Sequence, residues 1–359
     1  MLTKLSLIDN LSEERLKEIL CHCSSQKVGV IGDLALDAYW HADMTRSLLS
    51  RETPLFPRPV VQEVYAPGAG ANVAQNLKML GVDSVLVFSV IGDDWRGEIL
   101  KKEMVNRNIN IERILVSPQR TTTTYVKPIL MGFNSQQEDA RIDFENTELL
   151  SSIMEERLLG LVTQQLPGLD ALIIVDQLDM NGIITERVRE SLNNLAANYS
   201  DKYIAVDSRQ HIGLFRNIIL KPNMLEALAS IYSDYDLHTL NREELLETGK
   251  NLSQQSNRPV FITLGDEGVL ICDKDAHRYL PSAPVTPPLD PVGAGDTFLA
   301  ALTVALASGA TPWEAGTFAN LAAAITVEKL NQTGTASPQE ILERFGTTQA
   351  REKQNEAGA

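Results

Sequence analysis

Short apolar β runs recur along this chain with a helical segment between successive runs, and that alternation restricts the fold more than any other feature. The runs are Lys27–Gly32, Ser84–Ile91, Ala171–Val175, Tyr203–Val206 and Val260–Leu264. The segments Ala71–Leu80, Trp95–Asn106, Ile184–Ala197, Asn241–Gln254, Thr297–Ala307 and Pro312–Leu330 carry the apolar spacing of helices. Strands that are apolar throughout are buried on both faces, so the pattern predicts an α/β fold with a mainly parallel central sheet and helices on either side. In such sheets ligands bind beyond the carboxyl ends of the strands, so the loops after the runs are expected to carry the chemistry.

Two excursions interrupt the alternation. Residues 38–66 hold Pro54, Pro57 and Pro59 and the β-rich stretch Val60–Tyr65, and residues 120–145 run from Thr121–Lys127 to Arg141–Phe144. Both read as edge-type strands, and together they predict a small β lid over a site. Residues 1–25 read as a helical extension that starts at Asn10 and Glu13 as a capping box, with Leu11, Leu16, Ile19 and Leu20 on its apolar side. The main domain is expected over 26–347, followed by a frayed polar tail over 348–359.

Charge and composition exclude several classes. Lys plus Arg number 32 against 47 Asp plus Glu, a formal charge of −15. That surface repels phosphate polyanions, so nucleic acid is not an expected partner, whereas a small anion held by backbone dipoles is allowed. The cysteines are 3 in number, and Cys21-His22-Cys23 lacks the spacing of a zinc knuckle. The longest apolar run, Thr297–Ala307, is too short to cross a membrane. No basic segment followed by an apolar run opens the sequence, so a cytoplasmic setting is expected.

Four motifs carry candidate chemistry. Asp290-Pro291-Val292-Gly293-Ala294-Gly295-Asp296-Thr297 leads straight into an apolar helix. Its glycines let successive N–H groups converge, and the helix start adds partial positive charge, as a phosphoryl group under transfer requires. Asp296 at its lip could take a hydroxyl proton, or be an ordinary cap of a tight turn. Asn223 and Glu226 of Lys221-Pro222-Asn223-Met224-Leu225-Glu226 suit a hydrated Mg²⁺, or equally a capping box. Thr263-Leu264-Gly265-Asp266-Glu267-Gly268 fits either close approach to a nucleotide or a hairpin turn. Pro67-Gly68-Ala69-Gly70-Ala71-Asn72 offers backbone approach and an amide for a polyol. Asp33 and Asp37 near the first strand could bind sugar hydroxyls or cap loops. No dinucleotide fingerprint and no P-loop occurs.

In this order the four motifs resemble the ribokinase-like (PfkB) family of carbohydrate kinases over roughly residues 26–345. The resemblance implies a ribokinase-like three-layer sandwich and ATP-dependent phosphorylation of a sugar or sugar-phosphate hydroxyl. The stretches Gly32–Trp40, Ser50–Pro54, Arg141–Glu145 and Phe318–Ala324 are similar to the branch that phosphorylates heptose 7-phosphate at its anomeric hydroxyl. A fructokinase- or nucleoside-kinase-like enzyme, or a catalytically idle binding module on the same fold, are the alternatives. One kinase body and no second catalytic domain is the expectation for this length.

The same resemblance implies roles. Asp296 becomes the base, and Gly293, Ala294 and Gly295 stabilise the transferring group. Asn223 and Glu226 organise Mg²⁺ through water. Thr263, Gly265 and Gly268 line the nucleotide site, with Asn320 near the base. Asp37, Gly68 and Asn72 hold the sugar, and Asp176 reaches the substrate or metal side. Charge and lid placement alone, apart from the resemblance, set Arg51 and Arg141 against a substrate phosphate. A monovalent cation and a homodimer through the lid are further expectations. The chain departs from the family pattern at Ala69, at Pro291-Val292 and at Arg51.

Overall fold

The computed structural model describes residues 7–8, 11–232, 242–330 and 334–357. Helix α1 (Glu13–Cys23) precedes strand β1 (Lys27–Gly32), which passes through Asp33 directly into β2 (Leu34–Asp43). Strand β3 (Val60–Ala69) returns into α2 (Gly70–Met79), followed by β4 (Ser84–Gly92), α3 (Trp95–Asn106) and β5 (Ile114–Ser117). Strands β6 (Thr124–Met131), β7 (Gln136–Glu138) and β8 (Ile142–Phe144) lead to α4 (Ser152–Gln165). Then come β9 (Ala171–Asp176), α5 (Glu186–Asn198), β10 (Tyr203–Ser208), β11 (Ile219–Leu220), α6 (Met224–Ala229) and α7 (Arg242–Ser256). The remainder is β12 (Val260–Thr263), β13 (Val269–Asp273), β14 (Ala276–Leu280), α8 (Ala294–Ala307), α9 (Pro312–Val327) and α10 (Pro338–Ala357).

The main sheet has nine strands in the order β14-β13-β12-β11-β10-β9-β1-β4-β5. It is parallel from β12 to β5 and closes with the antiparallel pairs β12–β13 and β13–β14. Side chains alternate between its faces because the strand period is two. Val28 and Val30 enter one apolar cluster with residues of α1, α2, α8, α9 and α10. Ile31 enters the other with residues of α4, α5 and α7. Helix α8 is buried from Thr297 to Leu306, as a helix apolar on all sides requires. This is the expected three-layer α/β sandwich. Among the described residues no helix is long and apolar enough to cross a membrane.

The two excursions meet in a second sheet, ordered β3-β2-β6-β7, with β8 paired to β6. Strand β2 lies antiparallel to β3 and parallel to β6, from Leu36 opposite Thr124 to Asp43 opposite Met131. The junction with the main sheet is Asp33. Its N–H donates to Val175 O (3.0 Å) and its carbonyl accepts from Gly70 N–H (2.8 Å). Its carboxylate accepts the backbone N–H groups of Gln177 (3.1 Å), Leu178 (3.0 Å) and Ile183 (2.8 Å). Burial pushes this carboxyl up to about 6 in spite of the three donors.

Both ends of the chain depart from expectation. The expected cap Asn10 lies outside the described residues, as does Asn241 at the start of the expected helix over 241–254; Ser12 caps α1 through a bond from Arg15 N–H (3.2 Å). Leu16, Ile19, Leu20 and Cys23 of α1 are buried in the same cluster as the sheet, so the helix is built into the core. At the other end α10 runs past residue 347 to Ala357, with Ile341, Phe345 and Thr348 buried. The apolar side of α1 is the one expected from Leu16, Ile19 and Leu20, whereas in α10 the polar remainder masked the apolar spacing.

If α1 is part of the core, Ile19→Ala should lower unfolding stability by about 2–5 kcal/mol. A chemical denaturation curve within experimental error of wild type would return this helix to the status of an appendage.

Candidate active site

The carboxyl ends of β9 to β12, the start of α8 and the lid enclose one cleft of about 830 Å³. The loop before α8 forms its floor. Gly293 adopts φ +81°, a left-handed conformation that lets the chain turn sharply into the helix. The Ala294 N–H is committed to Pro291 O (3.2 Å). Gly295 and Asp296 occupy the first turn, where N–H groups have no partner within the helix. Gly295 and Asp296 thus have N–H groups without a partner in the helix, whereas that of Ala294 closes the turn.

Asp296 is held from two sides. Asn72 Nδ2 donates to Oδ2 (2.7 Å) and Gln177 Nε2 donates to Oδ1 (3.0 Å). Burial pushes the carboxyl up to about 6, against the pull of those two amides. Asn72 was expected to hold the sugar. Instead it is 1% exposed and continues into a buried polar chain. Asn76 Nδ2 donates to its Oδ1 (3.2 Å), Thr297 Oγ1 donates to Asn76 Oδ1 (2.7 Å), and Thr326 Oγ1 donates to Thr297 Oγ1 (3.0 Å). Asn72 thus orients the carboxylate and is itself fixed from below.

Opposite this turn lies a buried cation. Lys221, 3% exposed, pairs with Asp207 at 2.9 Å. Its Nζ is 3.6 Å from where a side chain on Gly295 would begin. Burial works against its charge, but Asp207, Glu226 and Asp296 together hold its pKa above the usual lysine value. Burial, and then Asp207, raise the Glu226 carboxyl. Asn223 and Glu226 do form the capping box of α6: Glu226 N–H donates to Asn223 Oδ1 (2.9 Å) and Asn223 N–H donates to Glu226 Oε2 (2.7 Å). Both also line the cleft. Each has an atom left outside the box, Oε1 of Glu226 and the amide nitrogen of Asn223. Among the described residues no cluster of three or more metal-ligating side chains is preformed. The free carboxylate oxygen of Glu226 can accept from the waters of a hydrated Mg²⁺.

Thr263, Gly265, Gly268 and Asn320 line the same cleft. The hairpin alternative also holds there, since Leu264 N–H donates to Gly268 O (2.8 Å) and closes the β12–β13 turn. Asn320 Nδ2 donates to Pro281 O (3.2 Å).

The lid supplies the opposite wall. Asp37 faces Lys127 at 3.6 Å, and the ammonium lies 4.9 Å from the Tyr39 ring centre. Gly68 gives Asp37 room, because a Cβ there would stand 3.0 Å from the carboxylate. Arg141 lines the cleft but is tied to Asp143 by two bonds of 2.7 Å, above the Tyr125 ring. Two expected residues are elsewhere. Arg51 is exposed in the loop between β2 and β3 and does not line the cleft. Asp176 ends β9 on the side of a different cavity, where Ser208 Oγ donates to it (2.6 Å) and His211 Nδ1 lies at 3.1 Å.

Among the cleft residues not singled out as site residues from the sequence are Lys127, Gln177, Asp207, Arg209 and Lys221. Gln177, Asp207, Arg209 and Lys221 stand at or just past the carboxyl ends of β9, β10 and β11, so strand position was the signal that could have found them.

A family model described as pfkB family carbohydrate kinase matches residues 28–152 and 178–340. Bifunctional protein HldE of Hyphomonas neptunium is 29% identical over 331 residues, 91% of this chain and 65% of that one. Bifunctional protein HldE of Geotalea uraniireducens is 32% identical over 320 residues, 88% of this chain and 62% of that one. The chain thus spans less than two thirds of the length of these relatives. Among solved structures, phosphofructokinase-2 of Escherichia coli in complex with substrates and products superposes with a TM-score of 0.69 at 19% identity, covering 90% of this chain and 99% of that one. Ribokinase of Thermotoga maritima gives 0.63 at 20% identity, covering 89% and 99%. These two likenesses establish the ribokinase-like fold.

Ala69, at the β3–α2 junction, adopts φ +50° and ψ −130°, a region that only glycine enters without strain. Such strain costs about 1–3 kcal/mol, and glycine returns part of that gain as unfolded-state entropy. Ala69→Gly should therefore raise unfolding stability by about 1 kcal/mol. An unchanged or lower denaturation midpoint would show the junction to be relaxed as it stands.

Proposed function

The chain belongs to the pfkB family of carbohydrate kinases, and from that premise we propose that it moves the γ-phosphoryl group of ATP onto a hydroxyl of a phosphorylated sugar, with the anomeric hydroxyl of heptose 7-phosphate as the first acceptor to test. The observation that carries the reading is the half-buried Asp296 carboxylate at the rim of an anion cradle, oriented by two amides and facing a lid that bears cations.

Phosphoryl transfer asks for positioning and charge stabilisation more than for covalent help. Asp296 Oδ atoms, aimed by Asn72 and Gln177, accept the proton of the attacking hydroxyl. The N–H groups of Gly293, Gly295 and Asp296 and the Lys221 ammonium meet the charge that grows on the transferring group. Thr263, Gly265, Gly268 and Asn320 line the part of the cleft that takes the nucleotide. Asn223 and Glu226 would hold the waters of Mg²⁺, which neutralises nucleotide phosphate charge when bound. On the lid side Asp37 and Gly68 take sugar hydroxyls. Arg141, Lys127 and Arg209 are the cations available to a substrate phosphate. The resemblance also leaves room for a monovalent cation near the nucleotide, and a cytoplasmic setting fits a consumer of ATP.

The lid leaves Leu55, Phe56, Val60, Val61, Val64 and Phe133 exposed. That apolar face fits a second copy of the chain, and we read the enzyme as a homodimer joined through the lid. Light scattering should then give twice the 39.6 kDa of the chain, and the pair Val61→Lys and Val64→Lys should shift it to the monomer. A wild-type mass equal to one chain removes the dimer.

A coupled ADP-release assay over sugars and sugar phosphates tests the main reading. Asp296→Asn should lower kcat by about 10²–10⁴ while ATP binding persists. Because the base works ionised and its pKa is raised to about 6, kcat/KM of the wild type should fall as pH drops below about 6. Activity of the variant above a few per cent of wild type, or no sugar-stimulated ADP release from any acceptor, overturns the assignment.

A further inference from the structure

A second cavity, of about 690 Å³, opens on the far side of the strand end that supplies Gln177. Its floor is Asp176, oriented with His211 and Ser208 as described above. Its wall is α5, from which Arg189 lines the space. Arg189 is 9% exposed, and among the described residues its guanidinium has no hydrogen-bond or ion-pair partner. An arginine cannot shed its charge, and this one lines the cavity with no counter-ion beside it. The neighbouring cations are spoken for: Arg187 faces Glu155 at 3.5 Å, and His211 faces Asp176. Arg189 is therefore the uncompensated positive charge of this cavity. The mouth has the opposite character, because Asp179, Glu186 and Glu190 line it and are exposed.

We propose that this cavity is a binding site for a small molecule with a single anionic head on a hydroxylated body, its head on Arg189 and its hydroxyls on the mouth carboxylates. The charge pattern selects for one anionic group and against several. A nucleoside triphosphate would bring its extra charges against Asp179, Glu186 and Glu190. Volume agrees, since the cavity lies within the range of small-molecule sites. The site is separate from the cleft. It shares with it the loop after β9, in which Asp176 and Leu178 line the cavity and Gln177 holds Asp296.

The head could be a phosphate or a carboxylate, and two probes separate them: glucose 6-phosphate and gluconate. Ile184 lines the cavity, so its δ1-methyl resonance in the full chain reports occupancy there and not in the cleft. At least one probe should shift that methyl saturably, and Arg189→Met should weaken the response about tenfold or more. The same variant should keep the kcat/KM of the kinase reaction, which shows that it folds. The inference fails if neither probe moves the Ile184 methyl of the wild type. It fails equally if Arg189→Met responds with unchanged affinity, or if ATP saturates the site as tightly as the better probe.

Discussion

Asp33 stands where the two sheets join, and its carboxylate is the acceptor for three backbone N–H groups of one loop. Much depends on that arrangement. A loop that follows a buried strand leaves its peptide groups short of partners, and one carboxylate satisfies three of them at once. The second residue of the arrangement in effect is Gln177, whose backbone is pinned by Asp33 and whose side chain aims Asp296. The first strand, the lid and the candidate base are thus fixed to one another through two side chains, Asp33 and Gln177.

The polar interior extends the same logic. Asp296, Asn72, Asn76, Thr297 and Thr326 form a chain that crosses from the cleft into the packing of α2, α8 and α9. Buried polar groups of this kind are stable only when each has a partner, so each fixes its neighbour's rotamer. Lys221 plays a comparable part for the acids. Without it, Asp207, Glu226 and Asp296 would share a low-dielectric space with no nearby buried cation.

The architecture was legible because it rests on periodicity. Apolar strands and amphipathic helices announce their spacing regardless of what they later touch. The glycine turn at Gly293 and the capping box at Asn223 and Glu226 were legible for a similar reason, since each is a local device written within a few residues. Asn72 was misread because its role depends on Asp296, a residue remote in sequence. Asp176 was misread because the strand's alternation turns its side chain away from the cleft, while the next residue, Gln177, points into it. Lys127, Asp207, Arg209 and Lys221 escaped for want of a local pattern; only their place at strand ends or in the lid gives them meaning. Helix α10 carries many charges, and that composition hid the few apolar residues that seat it; the apolar side of α1 was legible, but not what it packs against.

Strand β2 follows β1 after one residue, and Asp33 is bonded on both sides of that step. There is no slack chain at this corner to serve as a pivot. To widen the entrance, the ribbon formed by β2, β3 and β6 has to flex along its own length, as a leaf spring does and a door does not. The width of the opening at rest is then an elastic property of twisted β structure, and the force that restores it is spread over every rung of the ladder.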